Sequence, residues 1–224
     1  IVTSAGGKGA NQAAACARLG AKVAMVGSVG RDDFGNQMKS SLSKFGVEVT
    51  HVSELEGVAS GSAIILVEEK GENCIVISGG ANQKYSLEFT SDFSKLIKQA
   101  KLVLLQLEID LGVVYQVIEI AHAAGVPVIL NPAPAAVLKP EIYTMIDYLI
   151  PNETEIALLT GVEVIDDVTA KTAADSLLVR GVKNVIVTLG SNGAYVANST
   201  AHYHVDSQKV KAVDTTAAGD AFIG

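Results

Sequence analysis

Near the end of the chain, "VDTTAAGDAFIG" sets one carboxylate, Asp220, among small residues where an apolar run gives way to what reads as the opening of a helix. The first amides of a helix have no intrahelical partner and carry positive partial charge. A turn built from Ala217, Ala218 and Gly219 lets such amides approach an anion closely. Asp220 in that first turn is then either a helix cap or a base held beside an anion hole. Other polar residues stand where apolar runs stop. In "SAGGKGANQ", glycines lead into a helix, and Lys8 and Asn11, three apart, share one face of its first turns. The pair suits recognition of hydroxyl and carbonyl groups, or is a solvated lysine beside a cap. "VLLQLE" ends on Glu108, which can accept from sugar hydroxyls or simply close a strand in solvent. "ILNPAPA" leaves Asn131 in a proline-constrained loop with structural and ligand-contact roles both open. "LIPNETE" places Asn152 and Glu155 three apart at a strand-to-helix junction, which serves magnesium through water or caps the helix. "VTLGSNG" offers Thr188, Gly190 and Gly193 at a further strand end, as contacts for a nucleotide phosphate or ribose.

Residues scattered this widely meet only if the scaffold ends many strands on one side. The pattern supplies that. "GKGANQAAACARLG" reads as a helix, "KVAMVGSVG" as a buried strand and "DDFGNQMKSSLSKFG" as a helix again. From "SDFSKLIKQA" onward helices and strands alternate: strand "KLVLLQLE", helix "LGVVYQVIEIAHAAG", strand "VPVILNPA", a short "YLIP", helices in "ETEIALLTG" and "AKTAADSLLVRG", and strand "NVIVTLG". Such alternation predicts one α/β domain over residues 1–224, a mostly parallel sheet with helices on both faces. Two β-rich runs around "EKGEN" interrupt it and predict a hairpin, a small β appendage within 47–83 able to cover a site as a lid. Ligands in such folds bind beyond the carboxyl ends of the strands.

Composition narrows the function. With 49% hydrophobic and 18% charged residues, the chain is a folding sequence rather than a disordered one. Lys and Arg number 17 against 24 Asp and Glu, a net charge of -7 with no basic block, which disfavours a nucleic-acid surface. No apolar run approaches the roughly 20 residues of a membrane span. Cys16 and Cys74 are isolated and fit reduced core thiols, hence a reducing, cytoplasmic compartment. The start "IVTSAGG" has neither an initiator methionine nor a basic leader, so any targeting segment would lie outside this sequence. The glycine turns match neither the P-loop nor the dinucleotide fingerprint.

Taken in order, "GGKGANQ", "NPAPA", "PNETE", "TLGSNG" and "DTTAAGDAFIG" resemble the phosphofructokinase-B family of carbohydrate kinases over practically the whole chain. "DTTAAGD" is similar to the family signature D-T-x-G-A-G-D, and "GGKGANQ" with "NPAPA" is similar to its ribokinase branch rather than to fructokinases or adenosine kinases. The resemblance implies ATP-dependent phosphorylation of D-ribose at the 5-hydroxyl. Its alternatives are another sugar or nucleoside kinase such as a deoxyribokinase, or an inactive sugar-binding fragment. It implies Asp220 as general base and the amides of Ala217, Ala218, Gly219 and Asp220 as the hole for the transferring phosphoryl group. Gly7, Lys8, Asn11 and Glu108 would hold the furanose, and Asn152, Thr188, Gly190 and Gly193 would line the ATP side. Asn152 and Glu155 would organise Mg2+ through water, and Asp214 with Thr216 would belong to a K+ site. A homodimer through the lid is implied as well. Ala217 replaces a signature glycine, a change expected to be tolerated at negative φ. Relatives carry a strand before "GGKG" and helices after "FIG", so the chain is expected to be truncated at both ends.

Overall fold

The computed structural model describes residues 3–67, 73–85, 91–211 and 214–224. The chain runs through α1 (Lys8–Arg18), β1 (Ala24–Gly30), α2 (Asp33–Lys44), β2 (Glu48–Leu55), β3 (Ser62–Val67), β4 (Asn73–Ser78), α3 (Ala81–Lys84) and α4 (Ser91–Gln99). It continues as β5 (Val103–Leu105), α5 (Leu111–Ala123), β6 (Val128–Leu130), β7 (Tyr148–Leu149), α6 (Glu153–Thr160), α7 (Asp167–Val179), β8 (Asn184–Thr188), β9 (Ala194–Asn198), β10 (His202–Val205) and α8 (Ala218–Ile223).

β5, β6, β7 and β8 lie side by side in chain order and pair in parallel. β9 and β10 extend this sheet from β8 as antiparallel strands. Parallel neighbours need crossovers, because the chain must return to the same end before starting the next strand. α5 makes the first return, a 3-10 turn at Pro140–Met145 the second, and α6 with α7 the third. Both faces of the sheet are covered, and Val128, Leu130, Val185 and Val187 have no exposed surface. On α7, Ala170, Ala173, Ala174 and Leu177 form a stripe of helical spacing that is wholly buried. Three alanines in that stripe let the helix sit close on β8 and β9. The result is the expected α/β architecture, a mostly parallel central sheet packed with helices.

The remaining strands form two pairs. β1 and β2 are parallel, and β3 and β4 form an antiparallel hairpin with Ile64 opposite Val76. The hairpin is where the appendage was expected, and all of its "EKGEN" turn except Asn73 lies outside the described residues. Four differences from the sequence reading follow from local chemistry. β2 went unassigned because "EVTHVSEL" is mostly polar and buries only Val52. β9 and β10 also went unassigned. They are joined by a turn in which Asn198 Oδ1 accepts from the N–H groups of Thr200 and Ala201. The strand expected through "KLVLLQLE" stops at Leu105, so Glu108 belongs to the turn after it. A strand is the ordinary lead-in to such a glycine turn, yet 206–211 before Asp214 form none, and 212–213 lie outside the described residues.

At the base of the hairpin, Asp32 caps α2 by accepting from Gly35 N–H and also accepts from Ser60 N–H and Oγ–H. Ser60 Oγ in turn accepts from Gly30 N–H. This junction leaves no room at Gly30, where a Cβ would sit 2.3 Å from Val58 O, whereas at Gly27 the nearest atom is Met25 Cε at 3.9 Å. Gly30→Ala is therefore expected to cost about 1–3 kcal/mol through overpacking, and Gly27→Ala to change stability by less than about 1 kcal/mol. Urea unfolding of the two variants measures the difference, and equal midpoints would contradict the close approach at Gly30.

Candidate active site

Each strand of the parallel sheet delivers polar residues from its carboxyl end. β5 is followed by Gln106 and Glu108, β6 by Asn131, β7 by Asn152, and β8 ends in Thr188. An isolated parallel bridge from Asn152 to Thr188 places the last two side by side. These are the ends at which α/β folds bind ligands.

α1 brings the first part of the site. Its N-cap, Gly7, has φ 98 and no side chain to cap with, so Glu108 Oε2 accepts from Lys8 N–H at 2.8 Å. The carboxylate thus neutralises a helix start, where a negative charge is favoured. In the same turn Gly9 lies close to Gln106, where a Cβ would come within 2.9 Å of Gln106 Oε1 and push that side chain aside. Lys8, Asn11 and Gln12 share one face of the helix.

Asp220 is buried, and both carboxylate oxygens accept hydrogen bonds. Asn11 Nδ2 donates to Oδ2 at 2.8 Å and Gln12 Nε2 donates to Oδ1 at 3.0 Å. Gln12 has no exposed surface. Its Nε2 also donates to Asn131 Oδ1 at 3.1 Å, and its Oε1 accepts from Gln106 Nε2 at 2.5 Å. Asn131 donates onward to Ile150 O at 3.0 Å. Asn131 therefore joins the ends of β6 and β7 to the base of the site. Gln12 and Gln106 were missed in the sequence, where the only signals were a polar residue among helix alanines and one at a strand end.

The turn before Asp220 departs from expectation in two ways. Ala217, the N-cap of α8, has φ 58 and ψ 14, the left-handed conformation rather than the negative φ expected of it. It is the only non-glycine residue with positive φ among the described residues. Ala218 N–H donates to Thr215 O at 3.1 Å, so that amide is taken up in the turn. Among the described residues no acceptor is paired with the N–H of Gly219 or Asp220. Beside them Asp214 is exposed, and its Oδ1 accepts from Thr216 N–H at 2.8 Å. Bonds from Thr216 hold the Asp214 carboxyl below the ordinary carboxylate range.

Asn152 and Glu155 make a reciprocal capping box on α6. Asn152 Oδ1 accepts from Glu155 N–H at 2.8 Å, and Glu155 accepts from Asn152 N–H at 2.9 Å and from its Nδ2 at 3.0 Å. Burial pushes the Glu155 carboxyl above its usual range, the Asn152 N–H and the charge of Lys8 pull it down, and Asp220 and Glu153 push it up. Lys8, Glu155 and Asp220 thus share one electrostatic field although they come from three helices. At the end of β8 a 3-10 turn spans Gly190–Asn192. Gly190 has φ 53 and an open side. Gly193 is glycine for a packing reason, since a Cβ would meet Val205 O at 1.9 Å. Among the described residues no group of three His, Cys, Asp or Glu is placed to hold a metal.

A mostly parallel sheet with polar side chains gathered at its carboxyl edge defines an α/β enzyme of the small-molecule class. The pfkB family carbohydrate kinase model matches residues 1–224. The chain is 46% identical over 232 residues to a ribokinase of Schizosaccharomyces pombe, covering 99% of this chain and 72% of that protein. It is 41% identical over 220 residues to a deoxyribokinase of Salmonella typhi, covering 98% of this chain and 72% of that protein. The structure of Arabidopsis thaliana ribokinase complexed with ribose and ATP superposes with a TM-score of 0.92 at 35% identity, covering 97% of this chain and 72% of that one. The chain belongs to the pfkB family of carbohydrate kinases.

An alanine held at positive φ costs roughly 1 kcal/mol relative to glycine. Ala217→Gly is expected to raise the unfolding free energy by about that amount or leave it level, with the melting temperature as the measurement. A marked fall in melting temperature would mean that Ala217 is not left-handed.

Proposed function

We propose that this chain is an ATP-dependent ribokinase and transfers the γ-phosphoryl group of ATP to the 5-hydroxyl of D-ribose. The observation that carries the reading is Asp220, a buried carboxylate at a helix start with both oxygens oriented by amide donors. Asp220 takes the hydroxyl proton as the sugar oxygen bonds to the γ-phosphorus and the bond to the ADP oxygen breaks. The N–H groups of Gly219 and Asp220, with Ala217, stabilise the charge spread over the phosphoryl oxygens. Gly7, Lys8, Asn11 and Glu108 hold the furanose, and Asn152, Thr188, Gly190 and Gly193 line the ATP side.

Mg2+ supplies charge neutralisation on the phosphates. Because Asn152 and Glu155 already satisfy each other, the fit is through water, using the second lone pairs of the Glu155 oxygens. The ionised, exposed Asp214 beside Thr216 suits one edge of a K+ site. Residues 1–224 act as one kinase domain with β3 and β4 as its lid. Ile64, Val76 and Ile77 are exposed on the lid. They support pairing of two copies there, which sedimentation would detect. No described helix is long and apolar enough to cross a membrane and Cys16 is a free thiol, in keeping with a cytoplasmic enzyme.

Asp220→Asn removes the base and sets an amide N–H against a donor from Asn11 or Gln12. It is expected to lower kcat by at least ~100-fold, and near-normal turnover would rule out the base assignment. Lys8→Ala is expected to raise the KM for ribose, by up to about tenfold for one lost hydrogen bond, and to leave the KM for ATP nearly unchanged. An equal rise in both would argue against a sugar contact. A panel of ribose, 2-deoxyribose and nucleosides decides the substrate, and preference for 2-deoxyribose would replace ribokinase by deoxyribokinase.

A further inference from the structure

His204, on β10, has both ring nitrogens engaged. Nδ1 lies 2.8 Å from Asp167 Oδ1, and Nε2 lies 2.7 Å from the backbone oxygen of Asn192. A carboxylate and a carbonyl can only accept, so each nitrogen has to donate, and only the imidazolium carries N–H on both. Either neutral tautomer would set a lone pair against an oxygen at one of the two contacts. Asp206 Oδ1, 3.7 Å from Nε2, adds a second anion. Among the described residues the charged groups facing the ring are Asp167, from α7, and Asp206, from the exit of β10 itself. The 190–193 loop contributes only backbone.

The two partners have different footings. Asp167 is the first residue of α7, whose alanine stripe lies in the main core. Asn192 closes the 3-10 turn that contains Gly190 and precedes Gly193. The exit of β10 holds the same turn twice more, through Ser207 Oγ–H donating to Ser191 O and through the packing of Gly193 against Val205 O. His204 is the member of this set whose hold depends on a proton.

We infer that His204 is a positioning residue which, as an imidazolium, ties the Gly190–Asn192 turn to α7 and thereby sets the affinity of that turn for a nucleoside triphosphate. The inference rests on the proposed placement of ATP against Gly190 and Gly193. The bond to Asp167, then the Asn192 carbonyl, raise the His204 pKa above its usual value, against a smaller opposing effect of burial. The contact is therefore complete below the ordinary histidine range and is lost as pH rises through the raised value.

The experiment compares the chain with His204→Arg, which keeps two donors and a charge at every pH, and with His204→Gln, which is neutral at every pH and offers its two N–H groups from one nitrogen rather than from opposite sides of a ring. Between about pH 6 and about pH 9, across the histidine range, the KM for ATP of the unaltered protein is expected to rise about fivefold to tenfold relative to His204→Arg. His204→Gln should show the raised value throughout, and the KM for ribose should follow the same course in all three. Nitrogen NMR of the ring at about pH 6 should show both nitrogens protonated. The amides of Gly190 and Gly193 should shift on adding a non-hydrolysable ATP analogue. If those amides do not respond to the analogue, the nucleotide placement fails and this inference falls with it. If they respond while the ATP KM is the same in all three proteins, or the ring is neutral at about pH 6, the role of His204 alone is overturned.

Discussion

Asn11 and Gln12, adjacent on α1, place one N–H donor on each oxygen of Asp220, 209 positions further along the chain from Asn11. Most of the site depends on this clamp. A carboxylate free to rotate would present its oxygens in many directions, and one with both oxygens bonded by different side chains has a single orientation. The clamp is itself held. Gln12 is braced by Gln106 after β5 and by Asn131 after β6, and Asn131 by Ile150 O after β7. The direction of one carboxylate is thereby referred to three parallel strands. No buried side-chain polar atom among the described residues lacks a partner. That is the condition under which a buried polar network orders a site rather than weakening it.

The network explains how an acidic chain can handle anions. With a net charge of -7 and Lys8 facing the buried Glu155, attraction by basic side chains is a minor resource. Orientation has to do more. α8 presents N–H groups at its start, α1 gives its first amide to Glu108, and α6 is closed by its capping box. The start of α8 keeps the N–H of Gly219 and Asp220 without an acceptor among the described residues, next to the oriented carboxylate, and Ala217 accepts a left-handed backbone to turn the chain into it. Fixed dipoles need no counter-charge and no reorganisation when a ligand's charge shifts, which is why they suit phosphoryl transfer.

The sequence made the parallel half of the fold legible because its signals are local and strong: apolar runs with helices of regular period between them. Strands β9 and β10 and β2 were not legible. β2 is mostly polar, with one residue buried, and β10 is an edge strand with none buried. The residues that the structure gathers at the strand ends were legible where they fall in a short motif, as at Asp220, Asn152 with Glu155, and Lys8 with Asn11. The relations between motifs were not. Nothing in "GGKGANQ" says that Gln12 would reach Asp220 and Asn131 together, because that contact is created by the sheet bringing distant strand ends into register. The same limit applies to Ala217, whose backbone is set by the turn around it rather than by its own preference.

The two sides of the site rest on cores of different size. The nucleotide side proposed at β8 and its following turn stands on the large cluster that includes Ile118, Leu130, Ile156, Leu177 and Val187. The sugar side proposed at α1 stands on the smaller cluster of Ala13, Leu42 and Val47 and on the two-stranded pairs beside it. Local opening free energy follows buried apolar contact, so α1 with the β1–β2 and β3–β4 pairs is the part expected to open first. Asp220 joins the halves: its helix follows the large sheet in the chain, yet its bonds run to α1. An opening of the sugar side therefore releases the carboxylate as well. The orientation of Asp220 exists only while the smaller half is docked, so on the proposed assignment closure over the sugar and readiness for chemistry would be a single event.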